Sequence, residues 1–156
     1  MKRLFACLAL SSLLIYCLLS CSAEKSIIIS NEWHTEYEGI FVTLDSVSYR
    51  DGNPVFNVTW HNETDIAAEV ESWCVIQYER EDSVWGSTNF CGADVIRDES
   101  PIIELQPNSE YSHTYNLWPY KLDRRGSYRI KGTFSIGAVD AREYYSAVTL
   151  FEYKRA

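Results

Sequence analysis

From residue 39 onward, apolar side chains recur at every second position, the period of a half-buried strand. Ile40, Val42 and Leu44 share one side, and the phase switches near Asp45 before Val47 and Tyr49 continue. Asp51-Gly52-Asn53-Pro54 is a turn sequence, built from residues that accept tight backbone angles or fix φ. It leads into a β-branched and aromatic run in which Phe56, Val58 and Trp60 share a face. Asn62-Glu63-Thr64-Asp65 turns the chain again. Further strands are expected over 72–80, 84–91, 102–105, 110–117, 127–136 and 143–153. Only 66–71 is ambiguous, and no window sustains a helical period. About seven or eight short antiparallel strands with regular turns predict an all-β sandwich.

The first twenty residues follow a different pattern. Lys2 and Arg3 precede an almost wholly apolar run over 4–19, and no acidic residue occurs before Glu24. This is the layout of a secretory signal, and the run is shorter than the roughly 20 residues a spanning helix needs. Leu18-Leu19-Ser20-Cys21 resembles the lipobox of bacterial lipoproteins, with Leu19 a mild departure from the usual small residue. The resemblance implies cleavage before Cys21 and a diacylglyceryl thioether on its sulfur, and therefore an extracytoplasmic, lipid-anchored protein of the cell envelope. Cys17 fits less well, because Tyr16 is bulky for the position before the cleavage site. The alternatives are an ordinary cleaved signal and an uncleaved anchor. The expected organisation is a signal at 1–20, a tether at 21–38 holding at most one early strand at Ile27-Ile28-Ile29, and a sandwich domain at 39–156.

Charge narrows the partners. The chain has 14 basic and 22 acidic residues, for a formal charge of −8, and loss of Lys2 and Arg3 makes it more negative still. An acidic surface repels phosphate backbones and anionic headgroups, so nucleic acid is not an expected partner. A hydrophobic content of 46 % and an aromatic content of 14 % supply a packed core.

Cys74 and Cys91 suggest a disulfide. If Asp82-Ser83 formed a two-residue hairpin loop, Glu81 would pair with Val84 and Cys74 would lie directly opposite Cys91. That is a non-hydrogen-bonded site with Cα atoms about 4.5 Å apart, at the short end of disulfide geometry. Export favours oxidation. A metal site lacks third and fourth ligands, and no histidine is placed near either cysteine.

Gly126-Ser127-Tyr128-Arg129 resembles the tyrosine corner of immunoglobulin-like domains, in which a tyrosine near the start of strand F turns its hydroxyl back onto the preceding backbone. Ile130 stands where antibody domains carry the second disulfide cysteine. The span from about residue 36 to 153 is similar to the bacterial Ig-like domains of small Gram-positive lipoproteins, also appended to membrane sensors of the beta-lactam-sensor metallopeptidase type. The residues that carry this likeness are Glu38-Gly39-Ile40, Val58-Thr59-Trp60-His61-Asn62-Glu63-Thr64, Ile76 to Glu79 with Trp85, Leu105-Gln106-Pro107-Asn108-Ser109, and the corner. They are structural positions, and the likeness brings no catalytic residue with it. His61 and the Cys74/Cys91 pair depart from the group's pattern.

Catalytic chemistry has little to stand on. His34-Thr35-Glu36 and His61-Asn62-Glu63 each place His and Glu on one face of an extended chain, but there is no phosphate loop and no nucleophile elbow. No catalytic residue, metal site or cofactor is assigned. Binding is the expected class, with Trp73, Tyr78 and Trp85 around the hairpin and Trp118 and Tyr120 in a loop as the candidate contacts. The alternative is that Trp118 and Tyr120 cap the core. An envelope protein is the expected partner, an envelope glycan such as peptidoglycan the second reading, and proteinase inhibition a weaker third. Two Asn-x-Thr sequons, at Asn57 and Asn62, read as incidental in a bacterial lipoprotein.

Overall fold

A computed structural model describes residues 25–50, 53–87, 102–116, 122 and 124–155. Among these residues there are nine strands and no helix. They are β1 (Lys25–Thr35), β2 (Ile40–Arg50), β3 (Asn53–Asn62), β4 (Ala68–Glu79), β5 (Trp85–Ser87), β6 (Ile102–Leu105), β7 (Ser109–Asn116), β8 (Gly126–Ile136) and β9 (Glu143–Arg155). They form two antiparallel sheets facing one another, a β-sandwich. The larger runs β1-β9-β8-β4, with β5 and β6 on the far side of β4 at opposite ends of that strand, and the smaller runs β2-β3-β7.

The alternating pattern decides what faces inward. Ile40, Val42 and Leu44 of β2 and Phe56, Val58 and Trp60 of β3 are buried against Ile76 of β4, Ile130 and Phe134 of β8 and Phe151 of β9. The phase change near Asp45 is a bulge, where the β2–β3 register shifts between Leu44 and Ser46. The Asp45 carboxylate accepts hydrogen bonds from Thr59 Oγ1 at 2.7 Å and Thr43 Oγ1 at 3.3 Å, so the extra residue is held by its neighbours. Aromatic contacts join the sheets, with Phe56 and Phe151 centroids 5.0 Å apart and Trp60 and Phe134 5.9 Å apart.

Trp60 dictates an unusual choice on the facing sheet. Gly132 of β8 lies under its ring, and a Cβ there would come within 2.9 Å of Trp60 Cη2 and overlap Cζ2. The indole Nε1 donates to Tyr115 Oη at 3.2 Å, so its polar atom is satisfied inside the core.

Two expectations require correction. Residues 25–35 are not a tether. They form β1 and pair with β9 from Lys25↔Arg155 to Thr35↔Ala147, with one irregularity between Ile29 and Trp33. Ile27 and Ile29 pack on the core, and a strand at the sheet edge needs only those inward contacts to hold it. The hairpin register differs as well. Arg80 N–H donates to Val84 C=O at 3.0 Å, Ser83 adopts φ 58°, and the first ladder pair is Glu79↔Trp85. The longer loop moves the pairing by one residue and removes the argument that set Cys91 opposite Cys74. Cys91 lies outside the described residues. Cys74 is buried in the core and carries no disulfide among the described residues.

Candidate functional site

The register places one set of strand ends together. Lys25 at the start of β1 pairs with Arg155 at the end of β9, Tyr153 pairs with Gly126 at the start of β8, and Tyr128 pairs with Tyr78 near the end of β4. At this end the chain before β8 makes a tight return. The Tyr128 hydroxyl donates to Arg124 C=O at 2.8 Å and accepts from Arg124 N–H at 3.3 Å, while Gly126 takes φ 134°, open only to glycine without strain. The phenol is buried and stacks on Phe151 at 5.4 Å. The hydroxyl thus serves two backbone groups, and it fixes where the two preceding arginines emerge.

Between this return and the β4–β5 hairpin lies a groove of about 540 Å³. Its walls are residues 78–82 on one side and Arg124, Arg125, Ser127 and Tyr128 on the other. The Arg124 guanidinium sits 5.0 Å above the Tyr78 ring, a cation–π contact in the groove wall. Arg80 pairs with Asp82 at 3.5 Å, and Arg125 has no ion pair among the described residues. Gly86 faces Tyr78 across the hairpin, and a Cβ there would press within 3.3 Å of the Tyr78 ring and of Arg80 Cδ. The groove is polar, mixed in charge and rich in arginine. It offers bidentate donors for carboxylate or phosphate, with an aromatic wall beside them.

The structure separates the sequence-predicted contacts. Tyr78 lines the groove, where it also packs on the end of the core. Trp85 stands opposite Glu79 and so on the other face of the sheet. There Arg129 covers its ring at 4.5 Å, while Arg129 Nε donates to Gln77 Oε1 at 2.7 Å. Desolvation by the same packing pulls the Arg129 pKa below its ordinary value. Trp73 is half-buried further back on β4. Trp118, Tyr120 and the lipidation candidate Cys21 lie outside the described residues. The arginines of the groove were not selected from sequence. The signal was the Asp123-Arg124-Arg125-Gly126 run just before the corner, where a loop charge has to point outward.

A second surface also escaped the sequence. Phe41, His61 and Glu110 are register partners on the outer face of the small sheet, and Trp33 of β1 joins the row. Trp33 stacks on Phe41 at 4.2 Å and Phe41 on His61 at 4.6 Å, with 12° between planes in both cases. His61 Nδ1 bonds Glu110 Oε1 at 3.0 Å, and Nε2 bonds Thr43 Oγ1 at 3.0 Å. The next rows are hydroxyl and amide groups, with Thr59 Oγ1 near Ser112 Oγ at 3.2 Å and Thr114 Oγ1 donating to Asn57 Oδ1 at 2.9 Å. Trp33 keeps 40 % of its surface exposed.

Several polar residues are committed to structure. Asn62 is buried, and its amide donates to the carbonyls of Ile66, Leu105 and Gln106 while its oxygen accepts from Thr64 N–H at 3.0 Å. Its sequon is therefore a turn motif, with the amide nitrogen used up. His113 Nε2 bonds Ser72 C=O at 3.1 Å, across the sandwich. His34 is on β1, apart from His61. Among the described residues no three His, Cys, Asp or Glu side chains gather as a metal site. Burial pushes the Cys74 thiol pKa well up, the opposite of what a nucleophile needs. No protein-family model matches the chain, and no curated protein matches it.

Proposed function

We propose that this chain is a lipid-anchored extracytoplasmic protein whose immunoglobulin-like domain is a non-catalytic interaction module. The groove beside the corner is the site that takes its partner. The strand order supports the Ig-like reading, since β2-β3-β7 and β9-β8-β4-β5 correspond to the A-B-E and G-F-C-C′ sheets of that architecture, with β1 added beside G. The Tyr128 hydroxyl bonded back to Arg124 supports it further. The observation that carries the functional reading is the position of the groove. It opens at the end where β1 begins, four residues after Cys21, and four extended residues reach only about 14 Å. A partner taken there is held close to the membrane, which suits an envelope protein that is itself membrane-bound.

The test is photo-crosslinking in intact cells from a probe placed at Glu81, on the hairpin wall of the groove. A membrane protein should be captured, and the capture should fall at least tenfold in Tyr78→Ser and Arg125→Glu variants but not in Trp33→Ala. Acyl labelling should mark Cys21 and vanish in Cys21→Ala. Label lost with Cys17→Ala instead would move the anchor.

The row of Trp33, Phe41 and His61 beside hydroxyl and amide groups favours a second reading, an envelope glycan laid on the small sheet. Retention on isolated cell wall that is lost in Trp33→Ala and kept in Tyr78→Ser would select it over the first.

A further inference from the structure

Among the described residues, charge is divided between two unlike ends. Lys154 lies near the end of β9, and Arg50 closes β2 beside the same end. Its place there follows from Phe56, three residues past the Arg50↔Asn53 pair, which packs against Phe151 of β9 with the rings tilted. Arg80 follows β4, Arg124 and Arg125 precede β8, and Arg129 lies in its first turn of ladder. Against these six cations the same end holds four described carboxylates, Glu79, Glu81, Asp82 and Glu152, of which Asp82 pairs with Arg80 at 3.5 Å and Glu152 with Lys154 at 3.2 Å. Everywhere else the described residues carry twelve carboxylates and only two cations, Lys131 and Arg142. Arg142 is already paired with Glu69 at 2.8 Å.

We propose that this cationic end is a docking surface for the anionic phospholipid headgroups of the membrane that holds the anchor. The inference rests on the lipid-anchored reading above. Two observations choose the occupant. The first is charge complementarity, since a basic end on an otherwise acidic molecule is attracted to an anionic plane only in one orientation. The second is where the chain leads: β1 begins at this end, so a lipid on Cys21 brings these cations, and not the acidic end, to the headgroups. A lipid chain and a basic patch together anchor far more firmly than either alone. Docked this way, the domain stands upright with its acidic end outward, and the expectation from net charge that anionic headgroups repel it is reversed locally.

The experiment uses the mature chain from residue 21 with Cys21→Ser, which contains every described strand and no acyl group. Sedimentation with vesicles of phosphatidylcholine containing about one part in three phosphatidylglycerol, at about 0.1 M salt, measures partitioning. Binding is expected to these vesicles and not to pure phosphatidylcholine. Arg50→Ala with Lys154→Ala, both outside the groove, should weaken it by roughly twenty- to thirty-fold, about fivefold per charge. Arg124→Ala with Arg125→Ala should do the same, and Lys131→Ala should leave it unchanged. Equal loss in Lys131→Ala overturns the proposal, since attraction would then have no face. Loss confined to the Arg124/Arg125 pair, with competition by millimolar inorganic phosphate, also overturns it in favour of one phosphate held in the groove. Absence of acyl label at Cys21 in cells, with vesicle binding intact, would fail the anchor and leave the docking surface standing.

Discussion

At the scale of single residues, the core is most sensitive where the two sheets come closest. Gly132 has no side chain because the Trp60 ring occupies that space. Gly132→Ala forces either the indole off its rotamer or β8 away from β3, and overpacking of this kind costs about 1–3 kcal/mol. Urea unfolding should show the loss as a lower midpoint at unchanged slope, and Trp60→Phe in the same chain should recover part of it. A wild-type midpoint would mean that the sheets are further apart than described. A different sensitivity belongs to Glu36, which joins the turn after β1 to β9. Its carboxylate accepts from Ser146, whose hydroxyl and backbone N–H (2.7 Å) together hold its pKa below the ordinary 4.5. A depressed carboxylate pKa contributes stability above the unfolded value and loses it as pH falls through the folded one. The wild-type protein should therefore lose stability below about pH 4.5 more steeply than Glu36→Gln. Parallel acid curves for the two would show that Ser146 does not favour the charged form.

Among the elements, the strands over the core were legible because their period is strict. Ile40, Val42, Leu44 and Phe56, Val58, Trp60 each announced a face, and even the bulge at Asp45 showed as a change of phase. Two elements resisted for identifiable reasons. β1 carries Ile27 to Ile29 as an unalternating triplet followed by Ser30-Asn31-Glu32, so its pattern does not separate a strand from a linker, and only the partner β9 defines it. The hairpin loop was misjudged because two-residue and longer loops share turn residues, and the left-handed Ser83 is not a residue that announces itself as glycine would. Hydrogen exchange separates the two descriptions of β1. Amides that pair with β9 across residues 27–29 and 33–35 should exchange at least a hundredfold more slowly than those of an unstructured segment, close to the rest of the edge. Fast exchange throughout 25–35 would return the segment to a tether.

For the molecule as a whole, the site was less legible than the fold, because its residues come from separated loops and share no spacing. Tyr78 could be named from its hairpin, but Arg80, Arg124 and Arg125 become neighbours only through the β4–β8 pairing. Net charge concealed them further, since a sum over the sequence discards position. The separation of charge has a consequence that needs no membrane. β9 alone is 13 residues, about 40 Å of strand at ~3.3 Å per residue, so the acidic and basic ends lie well apart. At about 0.01 M salt the Debye length is about 30 Å, and an anionic surface facing the basic end still feels the carboxylates behind it. At about 0.1 M it is about 10 Å, the distant carboxylates are screened, and the near cations act alone. Stronger salt then screens these too. The mature chain, acidic with a sequence pI of about 4.8 before any processing, should therefore be retained by a cation-exchange matrix at pH 7. Retention should be greatest at intermediate ionic strength and weaker on both sides of it. Charge reversal of Arg124 and Arg125 to Glu should abolish the maximum, while Lys131→Glu should lower it only slightly. A retention that only falls as salt rises, or none under any condition, would mean that the charges are mixed on the surface and that the two ends do not act separately.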